Sequence, residues 1–401
     1  MKNYLYQLTS AISVGVISFG LSILIARQIG TTNFGLYSIA LAVGSILAIF
    51  IDGGFRNLLT RERTKSTHDL SYLNQTLPSI AMGHSLIVAL LASILCFLLF
   101  SSHLYLGLSI IWCFWAVILT QFACAILRGD GHLKVEAFWQ IKQRICTALF
   151  IAAAIFIGFF EAWQLLLAWF IGALTINLIF REGFLPKPAF KPLLFEKLKL
   201  YRTLLPLLWI DLATTIYFRS DLIMLSIFKV SDADIGRYAS AYRLIEASVL
   251  ISSPLSIIFF RKVRLLFNDQ ITRNRYVFHS TLLALGLGLL GVVLTNLLSN
   301  QLINLFYGEE YATASKLLII LSWMILLLIP NIVLTQTALA LNLDKYYALT
   351  ATIAAIVNVV FNLLFIPLYG IVASAYSSII TELVLFMGLS FSIWKNRKST
   401  I

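Results

Sequence analysis

Residues 218–246 read FRSDLIMLSIFKVSDADIGRYASAYRLIE, and this stretch decides how the rest of the chain is interpreted. Two apolar segments flank a short polar turn, and Arg219, Asp221, Arg243 and Glu246 interrupt them. A charge at membrane depth is costly, so it usually marks a pathway or a binding site rather than packing. Whether these segments lie in a membrane depends on the composition of the whole chain.

The composition is that of a membrane protein with many spans. The 401 residues are 60% hydrophobic and 12% charged, with a mean hydropathy of +0.89, whereas soluble domains carry about 25% charged residues. The apolar runs have the ~20-residue length of a membrane helix and not the ~10-residue length of a barrel strand. We therefore predict an all-α polytopic membrane protein.

The apolar runs predict twelve transmembrane helices. The predicted spans are 8–29, 36–56, 78–100, 104–127, 138–160, 163–181, 203–228, 236–260, 277–299, 314–341, 346–367 and 370–394. With the N-terminus inside, 22 of the 30 lysines and arginines fall on the cytoplasmic side and four on the outer side. The positive-inside rule then predicts that both termini are cytoplasmic, and it explains the net charge of +12 without a nucleic-acid partner.

A basic loop with three prolines divides the predicted helices into two sets of six. We predict an N-terminal lobe over 1–183, a basic cytoplasmic linker over 184–202 and a C-terminal lobe over 203–401. Residues 35–40 and 236–241 both read G-x-Y-x-x-A, and each follows the first helix of its lobe. An even number of helices per repeat predicts that a pseudo-twofold axis along the membrane normal relates the lobes.

Arginines in the outer halves of the predicted helices one, seven and eight indicate an anion site. Arg27, Arg219 and Arg243 are the candidate ligands, because a guanidinium is always charged and matches phosphate oxygens bidentately. Asp221 and Glu246 are predicted to form charge pairs in the same cavity. The alternative is purely local pairing of Arg219 and Arg243 with these acids, and Arg27 can instead extend to the membrane interface.

Other polar side chains lie inside predicted spans without an adjacent basic residue. Asp211 and Glu382 are candidate proton or sodium sites, and Asp52 is a third that also lies four residues before an arginine with which it can pair. The alternative for each is a protonated, hydrogen-bonded carboxyl group. Asn358 and Asn362 share one helical face and predict hydrogen bonds between helices.

No enzymatic arrangement emerges from the sequence. The five histidines are scattered without metal-ligand spacing, and the four cysteines lie in or beside apolar segments. We predict that the protein is not an enzyme and holds no metal or cofactor.

Six segments distributed along the chain carry a family resemblance. They are ARQIGTTNFGLY at 26–37, DGGF at 52–55, RSD at 219–221, IGRYASAYRLIE at 235–246, YGEEY at 307–311 and the segment 362–370. The first resembles the signature R-x-L-G-x-x-x-F-G-x-Y, with isoleucine at position 29. Together they resemble the motifs of bacterial polysaccharide transporters, the flippases of O-antigen repeat units, in the multidrug/oligosaccharidyl-lipid/polysaccharide flippase superfamily.

The resemblance implies a function in the bacterial cytoplasmic (inner) membrane. It implies two six-helix lobes around a central cavity and movement of undecaprenyl-pyrophosphate-linked oligosaccharide to the periplasmic leaflet by ion-coupled alternating access. The implied partners are this lipid-linked oligosaccharide, membrane lipids, and a polysaccharide polymerase with its chain-length machinery. A small-molecule antiporter of the same superfamily is the alternative among transporters. A membrane sugar polymerase or ligase is the alternative from another class, alongside a structural scaffold for polysaccharide enzymes.

Overall fold

A computed structural model describes residues 2–64, 76–99, 103–179 and 198–396 of the chain. These residues form α-helices joined by short turns, and no strand occurs among them. The helices are α1 (Lys2–Asp52), α2 (Phe55–Arg63), α3 (Leu77–Leu99), α4 (Leu104–Gly129), α5 (Leu133–Ile157), α6 (Ala162–Ile179), α7 (Leu198–Ile227), α8 (Asp232–Leu265), α9 (Gln270–Phe306), α10 (Ala314–Ala340), α11 (Asp344–Tyr369) and α12 (Ile371–Asn396), with a 3-10 turn at Glu309–Tyr311.

Nine of the described helices are long and apolar enough to cross a membrane, by length and composition. They are α1 over Tyr6–Asp52, α3, α4, α5, α6, α9, α10, α11 and α12. The described helices confirm the prediction of an all-α polytopic membrane protein. The number twelve, the pseudo-twofold relation of the lobes and the cytoplasmic placement of the termini stay predictions.

Helix α1 is a pair of helices that meet at Gly30, whose φ of 73° and ψ of 175° are non-helical. Only glycine adopts such a conformation without strain, so the break lies where the sequence predicts the first helix to end. The sequence places the end of the second helix near residue 56. That helix ends at Asp52, because Gly53 and Gly54 take positive φ values of 60° and 81° and turn the chain into α2.

Helices α8 and α9 extend beyond the apolar runs that predicted them, which cover 236–260 and 277–299. Side-chain caps explain where they begin: Ser231 accepts a hydrogen bond from the N–H of Asp234, and Asp269 accepts one from the N–H of Thr272. Hydrogen bonds from Thr272 hold the pKa of the exposed Asp269 carboxyl below its ordinary value, so this cap is charged at neutral pH.

Backbone contacts divide the chain into two units. The first unit comprises Met1–Ile29 and Ile39–Thr215, and the second comprises Gly30–Ser38 and Ile216–Ile401. Each unit therefore contains a piece from the other half of the sequence. Most of the predicted linker lies outside the described residues, and 198–202 form the start of α7. The predicted lobe boundaries stay a prediction.

The first unit has a core at the junction of α2, α3, α4 and the start of α7. Apolar side chains of the short helix α2 lie buried in it, which explains why this amphipathic segment is helical although it is too short to span a membrane. The buried core residues include Phe55, Leu58, Leu59, Leu77, Ile80, Phe122, Ile126 and Leu204.

The two G-x-Y-x-x-A motifs contact each other within the second unit. A Cβ atom on Gly35 would overlap the carbonyl oxygen of Asp232, and one on Gly236 would overlap the carbonyl oxygen of Thr31. The contact is reciprocal: Asp232 lies four residues before Gly236, and Thr31 lies four residues before Gly35. The two glycines let the helix backbones touch, which explains why both copies of the motif begin with this residue.

The YGEEY motif holds the start of the second half of α1 in the same unit. The Glu310 carboxylate accepts hydrogen bonds from the backbone N–H and the hydroxyl of Thr31, at 2.8 and 2.9 Å. Phe34 packs against Tyr307 and Tyr311, with ring centroids 6.4 and 6.2 Å apart. Glu310 thus caps a helix N-terminus that the break at Gly30 leaves open.

Candidate functional site

A cluster of two arginines and one glutamate lies between α7 and α8 in the second unit. The Glu246 carboxylate accepts from Arg219 through Oε1 and from Arg243 through Oε2, both at 3.3 Å. All three side chains are half-buried, at 27–30% exposure. One carboxylate between two guanidinium groups leaves a net positive charge and unused N–H donors, the chemistry that suits a phosphate group.

Asp221 does not belong to this cluster, and its predicted pairing with a cavity arginine is wrong. It is buried, and Asn362 donates to Oδ1 at 2.7 Å while Tyr238 and Ser378 donate to Oδ2 at 2.8 and 2.7 Å. Side chains two residues apart on a helix point to different faces, so Asp221 turns away from Arg219. Its hydrogen-bond partners among the described residues are all neutral.

Further buried polar side chains extend the surroundings of Asp221. Asn358 accepts from Ser220 at 2.6 Å and from Asn362 at 3.1 Å, and donates to Thr381 at 3.2 Å. Ser374 donates to the Asn362 carbonyl at 3.0 Å. The predicted hydrogen bonding of Asn358 and Asn362 between helices is therefore confirmed, since these contacts join α7, α11 and α12.

The Asp221 cluster can hold a proton or a small hard cation. It brings carboxylate, amide and hydroxyl oxygens together in a buried position, and hard cations prefer oxygen ligands. The sequence interpretation missed this arrangement because it assigned Asp221 to an arginine. The available signal was the four-residue spacing of Asn358 and Asn362 on α11 and of Ser374 and Ser378 on α12, which predicts two polar faces.

In the first unit, Asp211 is not the isolated carboxylate that the sequence suggests. Arg56 donates to Asp211 at 3.0 Å and to the Gln121 side-chain carbonyl at 2.7 Å. Asp52 accepts the backbone N–H groups of Arg56 and Gly54 at 3.0 and 3.2 Å. Asp52 therefore caps the start of α2, and the guanidinium is directed to Asp211.

Glu382 also has a partner that the sequence did not indicate. It is buried on α12, and the Asn331 amide donates to its carboxylate at 2.6 Å and to its backbone carbonyl at 2.9 Å. No group of three or more His, Cys, Asp and Glu residues in the described chain is arranged to hold a metal ion. Ion coupling through Asp211, Asp52 or Glu382 stays a prediction.

Arg27 belongs to the first unit, where it lies on α1 just before the Gly30 break with an exposed side chain. Arg219 and Arg243 belong to the second unit. The convergence of the three arginines on one substrate therefore stays a prediction.

Two cavities of the first unit share the side chains of Arg56, Val117 and Gln121. The smaller cavity has a volume of about 280 Å³, and Asp52 and Asp211 line it. The larger cavity has a volume of about 410 Å³, and its lining contains arginine and amide side chains. The polar residues that line the larger cavity are Arg56, Asn57, Thr120, Gln121, Arg128, Gln140 and Gln143.

The sequence is similar to a polysaccharide biosynthesis family and to a probable flippase over most of its length. A family model described as polysaccharide biosynthesis protein matches residues 1–259. The probable low-salt glycan biosynthesis flippase Agl15 of Haloferax volcanii is 23% identical over 374 residues, which cover 88% of this chain and 75% of that protein.

Solved structures with the same fold include two transporters. The lipid II flippase MurJ in an inward closed conformation is similar with a TM-score of 0.77 and 16% identity, over 97% of this chain and 87% of MurJ. The multidrug transporter DinF-BH of the MATE type has a TM-score of 0.67 and 13% identity, over 99% of this chain and 96% of that structure. At sequence identities this low, the similarity establishes the fold alone.

Proposed function

The chain belongs to the polysaccharide biosynthesis protein family, and on this premise we propose that it is a flippase that moves a lipid-linked oligosaccharide across a membrane. The substrate is an undecaprenyl-pyrophosphate-linked repeat unit of O-antigen or capsule, carried from the cytoplasmic to the periplasmic leaflet of a bacterial inner membrane by alternating access. Support comes from the similarity to Agl15, which is named as a flippase, and from the fold shared with MurJ.

The observation that carries the proposal is the cluster of Arg219, Glu246 and Arg243. A pyrophosphate cannot cross hydrocarbon unaided, and two guanidinium groups can replace its hydration shell with bidentate hydrogen bonds. Each arginine contacts the Glu246 carboxylate at 3.3 Å. A phosphate that enters the cluster competes with the Glu246 carboxylate for the two guanidinium groups. This competition weakens phosphate binding, so that the phosphate can be released.

Cation coupling is assigned to Asp221 and its neutral donors. A buried carboxylate without a basic partner requires a counter-charge, which a proton or Na⁺ supplies. Asp221 lies two residues from Arg219 on α7, and Tyr238, which donates to Asp221, lies five residues before Arg243 on α8. Occupancy at Asp221 therefore acts on the two helices that carry the arginine cluster.

The leaflet location of the lipid-linked oligosaccharide tests the proposed function. In cells that lack the protein, we expect the intermediate to stay on the cytoplasmic leaflet, where periplasmic enzymes cannot modify it, and restoration should release it. If single units reach the outer leaflet without the protein but fail to polymerise or to attach, the flippase proposal is wrong and the sugar polymerase or ligase takes its place.

Substitutions in the arginine cluster test the phosphate contact in the same assay. Arg219→Ala and Arg243→Ala should each lower translocation about tenfold or more, the size expected for one charge-assisted hydrogen-bonded contact. Glu246→Gln should instead tighten phosphate binding and slow release. Arg237→Ala is the matched control, because Arg237 also lies on α8 but pairs with Asp234 at 2.7 Å. Unchanged translocation in both arginine variants at normal protein levels would rule out the phosphate role.

A further inference from the structure

The larger cavity of the first unit has a lining that fits a sugar. We propose that it binds a sugar residue of the lipid-linked oligosaccharide, with amide groups contacting the hydroxyls; this inference rests on the proposed function and adds a glycan site to it. The cavity volume of about 410 Å³ lies within the range of about 300–1,000 Å³ that is typical of small-molecule sites. The amide residues that line the cavity are Asn57, Gln121, Gln140 and Gln143.

Amide side chains match sugar hydroxyls in chemistry. Each amide has one carbonyl acceptor and two N–H donors, and each hydroxyl both donates and accepts, so one amide can serve two neighbouring hydroxyls. Gln143 makes no hydrogen bond within the described residues, although it lies on the apolar helix α5. An amide in that position is stabilised when a polar ligand or water occupies the cavity.

Glu136 orients two of the lining side chains, those of Arg128 and Gln140. Glu136 is fully buried and accepts from Arg128 at 2.5 Å, from Gln140 at 2.8 Å and from Gln7 at 2.6 Å. Glu136 does not line the cavity itself. A buried carboxylate that orients an arginine and an amide toward a cavity provides the supporting contacts that a precise binding site needs.

A second carboxylate, that of Asp211, supports two further lining residues, Arg56 and Gln121. Arg56 donates to the Asp211 carboxylate at 3.0 Å and to the side-chain carbonyl of Gln121. The contact with Gln121 uses its carbonyl oxygen and leaves its N–H₂ group unused among the described residues. Two arginines and four amides line the larger cavity, whereas the carboxylates of Asp52 and Asp211 line the smaller one. Because the described lining of the larger cavity contains arginines and amides but no carboxylate, it suits a neutral or anionic sugar and not a cation.

The affinity of full-length protein in lipid nanodiscs for two probes tests the glycan site. The first probe is the lipid-linked oligosaccharide extracted from cells that lack the protein, and the second is undecaprenyl pyrophosphate without sugar. Gln143→Ala should weaken binding of the first probe about tenfold, as expected for the loss of hydrogen bonds to a buried ligand. It should change binding of the second probe less than twofold.

Controls separate this inference from the proposed function. Gln164→Ala removes a glutamine of the same unit that contacts the backbone of Glu161 and does not line the cavity, so both affinities should stay unchanged. If Gln143→Ala lowers the unfolding temperature, the longer apolar side chain of Gln143→Leu replaces it in the comparison. Equal weakening for both probes, or none, overturns the glycan site alone. Wild-type protein that binds neither probe overturns the proposed function as well.

Discussion

Asp211 and Asp221 lie on the same helix, α7, yet their surroundings are opposite. Asp211 belongs to the first unit, its side chain is 23% exposed, and Arg56 lies 3.0 Å away. Asp221 belongs to the second unit, is buried, and receives hydrogen bonds only from neutral groups of the described chain.

The difference shows that surroundings decide what a membrane carboxylate can do. Asp211 already has a counter-charge in the protein, the Arg56 guanidinium at 3.0 Å. Asp221 has none among the residues that the structure describes, and a proton or a cation can supply it. A coupling site must change its occupancy during a transport cycle, so under the proposed function Asp221 is a better candidate for coupling than Asp211.

The largest expected effect is the loss of the cation response in Asp221→Asn. If the ion is Na⁺, the wild type should gain about 2.7 kcal/mol of unfolding free energy at a hundredfold excess of Na⁺ over its Kd. Asp221→Asn should lose this gain, and Asp211→Asn should retain it. Thermal unfolding in NaCl and in choline chloride of equal ionic strength measures the difference. A response lost in Asp211→Asn and kept in Asp221→Asn would transfer the coupling role to the first unit.

A proton at Asp221 gives a different pattern in the same experiment. The wild type then shows no specific response to Na⁺. Because the folded protein binds a proton that the unfolded chain releases more readily, its stability falls as the pH rises. Asp221→Asn removes this dependence, and Asp211→Asn leaves it in place.

Tyr238→Phe should have the next largest effect, because it removes one donor to Asp221 and keeps the shape of the side chain. The hydroxyl donates at 2.8 Å, and a hydrogen bond to a charged group contributes about 1.5–3 kcal/mol. With the Asp221 carboxylate charged, Tyr238→Phe alone should lower the unfolding free energy by that amount. In an Asp221→Asn background the fall should be smaller, and an equal fall in both backgrounds would mean that Asp221 is uncharged.

The sequence predicts the helices well where apolar residues determine them. Runs of about 20 apolar residues identify α9 and α10. They do not identify where α8 and α9 begin, because the caps Ser231 and Asp269 start these helices among polar residues. The short helix α2 escapes prediction because it depends on the conformation of Gly53 and Gly54 and on burial in the core of the first unit.

Contacts of the candidate sites are predictable only over short separations. Arg243 and Glu246 are three residues apart on one helix, and their pairing follows from helix geometry. Arg56 and Asp211 are 155 residues apart, and their contact depends on how α7 packs in the first unit. The same reason hides the donors to Asp221, since Ser378 is 157 residues away.

A double-mutant cycle on Arg56 and Asp211 should give a smaller energy than either change near Asp221. Both side chains are partly exposed, at 35% and 23%, so solvent screens the pair. We expect a coupling energy of about 0.5–1 kcal/mol from Arg56→Ala, Asp211→Asn and the double variant in unfolding experiments. The coupling should shrink as salt is raised. A value above about 3 kcal/mol would mean that the pair is desolvated in the membrane, like Asp221.

Asn57→Ala should have the smallest effect, although Asn57 also contacts Asp211. Its amide lies 3.4 Å from the carboxylate, and its side chain is exposed. A long hydrogen bond in contact with water contributes little, so the unfolding free energy should change by less than about 0.5 kcal/mol. The comparable contact at Asp221 is the Asn362 amide, which is buried and lies at 2.7 Å. Asn362→Ala should therefore cost several times more, and equal costs would remove the energetic difference between the two aspartates.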